Sequence, residues 1–123
     1  MPPNPAPGFA KRPDHRIVVA REKHRVQVKV AGEVIADTTA ALRMEEGTYP
    51  PMYYFPRSDV RMERLVRTEH RSYCPFKGNA SYYSLSGGAE NMVWSYEEPY
   101  DEMQAIRGLV AFYPEKVDSI SVL

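Results

Sequence analysis

From residue 15 onward, apolar and polar side chains alternate in short runs. Val26, Val28 and Val30 are interleaved with Arg25, Gln27 and Lys29, the period-two pattern of a half-buried strand. Ala31-Gly32-Glu33 has turn chemistry and Val34-Ile35-Ala36 returns from it, so residues 24–36 predict a β-hairpin with glycine at its tip. The extended pattern continues from Asp37 to Met44, and an earlier apolar run, Ile17-Val18-Val19-Ala20, precedes the hairpin. Pro50, Pro51 and Pro56 keep the aromatic stretch around Tyr53-Tyr54-Phe55 out of any helix. Further strands are predicted over residues 67–73, 80–85, 91–97, 109–113 and 117–123. Ser58 and Asp59 followed by Val60, Met62, Leu65 and Val66 predict a short helix, and Pro99-Tyr100-Asp101-Glu102 opens a second one that Gly108 closes. About eight short strands with two minor helices make a mainly β, antiparallel domain over residues 15–123.

Composition adds limits to that picture. At 123 residues and 43% hydrophobic content the chain is one domain with enough apolar surface for a core. Residues 1–14 carry Pro2, Pro3, Pro5, Pro7 and Pro13 with only Phe9 as a large apolar side chain, which predicts a flexible or draped arm. Sixteen basic residues balance sixteen acidic ones, so no net field recruits nucleic acid or an anionic membrane. The balance hides a gradient: residues 1–32 hold seven bases and two acids, whereas residues 89–118 hold two bases and seven acids. The two regions can attract one another within a molecule or across a homodimer. One cysteine excludes an internal disulfide, the start MPPNPAPGF lacks the apolar core of a signal peptide, and no long apolar run occurs. The expectation is a cytoplasmic protein with no membrane span and no cofactor.

Candidate chemistry is concentrated in the second half. All nine tyrosines and the only tryptophan fall between Tyr49 and Tyr113. On strands, Tyr53 and Tyr54 point to opposite faces, as do Tyr82 and Tyr83, while Trp94 and Tyr96 share a face. Tyr54, Tyr82, Trp94 and Tyr96 therefore read either as the lining of a small-molecule pocket or as core rings. In CPFKGNASYY, Lys77 among Phe76, Tyr82 and Tyr83 is a candidate contact for an anionic ligand, with Gly78 supplying a backbone conformation closed to other residues. Cys74 is either a nucleophile made reactive by Lys77 or a small buried hydrophobe. Lys77-Gly78 reverses the order of a phosphate-binding P-loop and lacks its upstream glycine. Asp59 reads as a helix N-terminal acid, and Arg43, Glu45 and Glu97 either as polar groups at a pocket rim or, by alternation, as solvent positions.

Four ordered motifs over residues 25–122 carry a resemblance. They are YFPRSDV at 54–60, CPFKGNASYY at 74–83, VWSYEEP at 93–99, and VAFY at 110–113 with Lys116-Val117-Asp118. The chain resembles domain-of-unknown-function family 427, with signature positions Tyr54, Pro56, Asp59, Cys74, Pro75, Lys77, Gly78, Tyr82, Trp94, Tyr96 and Pro99. The resemblance implies a β-tent fold like that of the zinc-binding Mss4-like domains and the B-type methionine sulfoxide reductases, with no established activity. A nucleotidyltransferase-like label also attaches to the family. The residues bear little of this chemistry: one cysteine and three scattered histidines do not make a zinc site, and Cys74 lacks a resolving partner.

Three readings of function follow. The first is a module binding a small polar or anionic ligand through Tyr54, Lys77, Gly78, Tyr82, Trp94 and Tyr96. The second is an enzyme with Cys74 as nucleophile and Lys77 as its activator. The third is a self-associating scaffold.

Overall fold

A computed structural model describes residues 2–123. Its ten strands form three antiparallel sheets. The first sheet holds β1 (Ile17–Arg21), β4 (Leu42–Glu46) and β5 (Met52–Tyr54) in the order β1-β4-β5. The second holds β2 (Val26–Val30), β3 (Glu33–Thr38) and β10 (Ser119–Val122) in the order β10-β2-β3. The third runs β6 (Leu65–Cys74), β7 (Gly78–Leu85), β8 (Val93–Ser95) and β9 (Val110–Phe112) in sequence order. Among the described residues no helix is long and apolar enough to cross a membrane.

The hairpin predicted over residues 24–36 is β2–β3, closed by Ala31 and Gly32 at φ +51° and +77°. Positive φ at both central positions matches the right-handed twist of the flanking strands. The extended run from Asp37 to Met44 breaks after Thr38, whose hydroxyl accepts from Ala40 N at 2.9 Å and donates to Asp59 Oδ2 at 2.7 Å. That local turn moves the chain from the second sheet into the first. The helix expected at Ser58–Val66 is two separate 3-10 turns, Arg57–Asp59 and Met62–Arg64, and Ser58 caps neither. The second helix is also 3-10, over Asp101–Ile106, with a break at Met103.

The third sheet separates two cores. Its one face, with the second sheet, buries Val26, Val28, Ile35, Phe55, Tyr83, Val93, Val110 and Phe112. Its other face, with the first sheet, buries Met44, Tyr54, Tyr82, Trp94, Tyr96 and Ala111. Each adjacent aromatic pair thus sends one ring to each core, as strand alternation requires. The first and third sheets meet at one bridge, where Phe55 N donates to Val110 O at 2.7 Å and Val110 N donates to Phe55 O at 3.0 Å.

Residues 2–14 lie against the body. Pro7–Lys11 forms a single helical turn, and Ala6 and Gly8 are buried. Asn4 N donates to Asp101 Oδ2 and Ala6 N to Glu102 Oε1, each at 2.8 Å, while Gly8 N reaches Pro75 O at 2.9 Å. A Cβ at Gly8 would stand 2.7 Å from the Phe76 ring, so the approach needs glycine. The basic and acidic regions therefore touch inside one chain, here and where Gly32 N donates to Asp118 Oδ2 at 2.8 Å.

Arg57 joins the elements around the bridge. Its Nε donates to Gly108 O at 2.6 Å, Nη1 to Tyr83 Oη at 2.9 Å and Nη2 to Ser95 Oγ at 3.1 Å. Removing it leaves three partly buried acceptors short of a donor. Arg57→Ala should lower the unfolding free energy by about 2–3 kcal/mol, and Arg57→Lys should recover less than half, because an ammonium cannot reproduce the planar fork. Urea midpoints of the three proteins check this.

Candidate functional site

The stretch CPFKGNASYY forms the tip of the β6–β7 hairpin, where Cys74 pairs with Gly78. Gly78 takes φ +115°, a region essentially limited to glycine. Its missing side chain also admits close backbone, since a Cβ would lie 3.6 Å from Glu98 O and from Pro99 Cα. The tight tip directs Lys77 toward the first sheet.

There Lys77 Nζ donates to Glu46 Oε1 at 2.6 Å, and the other carboxylate oxygen lies 2.8 Å from His15 Nε2. Register explains the meeting: Glu46 pairs with Ile17 across β4 and β1, and His15 is two residues upstream of Ile17 on the same face. Phe76 stacks on His15 with centroids 4.0 Å apart, and Phe9 meets Phe76 edge-on at 4.9 Å. The Lys77 and Glu46 side chains are only 12% and 19% exposed, so the pair is shielded from much of the solvent. Burial works to raise the Glu46 carboxyl, but hydrogen bonds from Lys77 and His15 outweigh it and hold the group below its ordinary value.

The four rings singled out from the sequence come together behind this triad. Trp94 Nε1 donates to Tyr54 Oη at 3.2 Å, and Tyr82 Oη bonds Ser72 Oγ at 2.7 Å and Tyr113 Oη at 3.2 Å. Trp94 and Tyr113 have centroids 4.4 Å apart. Burial pushes the phenols of Tyr54 and Tyr96 above their ordinary range, and burial with the Tyr82 bond does the same for Tyr113, so all three stay neutral. Tyr54 is 1% exposed and Tyr82, Trp94 and Tyr96 are buried too, which makes them a polar-edged core. The opening nearest the triad is a cavity of about 280 Å³ lined by Met44, Glu46, Tyr49, Pro50, Pro51, Met52 and Pro114.

The other expected residues divide. Cys74 is partly buried, and its carbonyl accepts from Lys77 N at 3.2 Å. The ammonium read as its activator is bound to Glu46. Gly78 borders a separate polar cleft with Arg67, Ser81 and Glu97. Glu97, for which the sequence left open a pocket rim or a solvent position, lines that cleft. Asp59 does stand in the first turn of a helical segment, but its contact is the Thr38 hydroxyl. Sequence reasoning passed over Glu46 and His15, which lie 31 residues apart and meet only through strand pairing. Among the described residues no group of three or more His, Cys, Asp or Glu stands close enough to hold a metal ion.

The depressed Glu46 value has a definite sign. A carboxyl held low in the folded state adds stability above the unfolded carboxylate value, and that contribution fades as pH falls through the folded value. Wild type should therefore exceed Glu46→Gln in thermal stability at neutral pH, and the two melting curves should converge as pH falls below about 4. Parallel curves down to acid unfolding would contradict the assignment.

Comparison with curated proteins finds no match. A family model does match residues 18–123, which runs from the second residue of β1 through β10 and leaves the proline-rich segment outside. The chain belongs to that family, described as a domain of unknown function, DUF427.

Proposed function

We propose that this domain binds a small molecule through the cavity beside Glu46, with the Lys77–Glu46–His15 triad reading the ligand's polar group. The observation that carries the reading is a shielded carboxylate, held between two nitrogen donors, at the end of an otherwise apolar cavity. Structural charge pairs are common, but a half-buried triad opening onto Met44, Met52 and three prolines combines a few polar groups with apolar walls. The volume of about 280 Å³ suits a ligand the size of one ring with a short side chain.

Lys77 is already neutralised by Glu46, so a free anion would have to displace that carboxylate. A ligand carrying a cationic or donor nitrogen instead adds a bond to Glu46 and leaves the Lys77 contact in place. The buried rings of Tyr54, Tyr82, Trp94 and Tyr96 form the rigid backing of the site. We also read the junction at Phe55 and Val110 as the ridge of the tent-shaped fold that the family resemblance implies.

A thermal-shift comparison of benzylamine with phenylacetate tests the ligand class. Benzylamine should raise the melting temperature, Glu46→Gln should abolish the rise, and Met52→Ala should reduce it. Stabilisation by phenylacetate alone would restore Lys77 as the reading group, and no response to either would remove the cavity from consideration.

A further inference from the structure

A second cleft, of about 510 Å³, lies on the opposite side of the third sheet from the triad. Its floor follows from strand register. Arg67 on β6 pairs with Tyr83, Ser81 on β7 pairs with Ser95, and Asn79 stands two residues from Ser81 on β7, while Glu97 lies in the bend just past the end of β8. Arg67, Ser81 and Asn79 therefore point to the same face as Tyr83, and Glu97 joins them by reaching Arg67. Where the second sheet covers that face, apolar side chains pack. Beyond its edge the floor becomes Arg67, Ser81, Asn79 and Glu97.

β6 is irregular at this point. Pairing jumps from Arg67–Tyr83 to Arg71–Ser81, leaving Thr68, Glu69 and His70 opposite Tyr82 alone. Bulges of this kind re-aim side chains, and here Arg67 Nη2 donates to Ser81 Oγ at 3.0 Å while Nη1 reaches across to Glu97. The ion pair is poorly made. Arg67 Nη1 is 3.0 Å from Glu97 Oε1 but out of hydrogen-bond alignment, and its aligned bond goes to Oε2 at 3.4 Å. Glu97 Oε1 is enclosed and makes no aligned hydrogen bond, its close partner being Arg67 Nη1, although the Glu97 side chain as a whole is 36% exposed. A charge pair with this geometry leaves hydrogen-bonding capacity on both groups for a ligand to use. The roof comes from Asn4, Glu98 and Tyr100. Asn4 is pinned by a reciprocal pair, its N donating to Asp101 Oδ2 and its carbonyl accepting from Asp101 N at 3.0 Å, and it borders the cleft.

We propose that this cleft is a binding site for a free α-amino acid or a zwitterion of similar size. The ligand carboxylate takes the Arg67 guanidinium, the ligand ammonium takes Glu97, and the amides of Asn79 and Asn4 meet the ligand's remaining polar atoms. The zwitterion replaces one misaligned ion pair with two aligned, charge-assisted ones. One guanidinium against Glu97 and Glu98 leaves the cleft with a net charge of minus one, so a ligand lacking the ammonium is disfavoured. The site is independent of the cavity beside Glu46, because the third sheet and its second core lie between them.

Titration of the ¹⁵N-labelled protein with each common L-amino acid, read by the backbone amides of Gly78, Asn79, Ser81 and Glu97, tests the assignment. At least one amino acid should move these amides at concentrations up to about 10 mM, and its N-acetyl and C-amide forms should each bind at least about tenfold more weakly. Arg67→Gln should weaken the free amino acid but not its C-amide, and Glu97→Gln should weaken the free amino acid but not its N-acetyl form. No movement of these amides with any amino acid would overturn the proposal. So would blocked forms that bind as well as the free one, or shifts confined to residues 44–52.

Discussion

The bridge between Phe55 and Val110 is the constraint on which the arrangement depends. Two short backbone hydrogen bonds join the first sheet to the third at one point, and the chain on either side of Phe55 is committed to different cores. Tyr54 goes to the core shared by those two sheets, and Phe55 goes to the core beneath the second sheet. The same division occurs at Tyr82 and Tyr83 on β7 and at Val93 and Trp94 on β8. A one-residue slip at the bridge would exchange the faces of the side chains on β5, which runs into it from Met52 to Tyr54. Arg57, two residues past Phe55, bonds groups on β7 and β8 and the carbonyl of Gly108 before β9, so register and sheet junction are held by one side chain.

The third sheet carries different chemistry on its two faces for the same reason. One face holds neutral phenols and the indole packed under the first sheet, with a charge triad at the margin. The other turns polar where the second sheet stops, which brings Arg67 and Glu97 to an open cleft. The β6–β7 tip serves both sides: Lys77 leaves it toward Glu46, and Gly78 leaves room for the backbone of residues 98–100. The N-terminal segment touches both margins as well. Phe9 packs on Phe76 beside the triad, and Asn4 roofs the cleft.

Local chemistry was legible where it is decided by neighbours in sequence. Val26, Val28 and Val30 announce a strand by alternation, and Ala31-Gly32 supplies the turn that follows. Gly78 was identifiable as a required glycine from the turn around it. The helix reading at Ser58 was less complete, because Val60, Met62, Leu65 and Val66 have helical spacing but Val60 is drawn into a bridge with Ala36 and Leu65 begins a strand. Tertiary pairing outweighs a weak propensity over so few residues. The break after Thr38 was invisible for a related reason: its hydroxyl answers to Asp59, 21 residues away.

The sequence by itself determined a mainly β domain, the division of each aromatic pair between two faces, and the family to which the chain belongs. These follow from period-two alternation and from motifs read in order. Only the tertiary structure decided what each charged group faces. Lys77 meets Glu46, and Glu46 meets His15, because β1 pairs with β4 and the hairpin tip leans against them. Arg67 meets Glu97 because a bulge in β6 turns it across the sheet. Partners of this kind lie some 30 residues apart, and electrostatic pairing acts through space, whereas alternation along a strand records only which face a side chain takes.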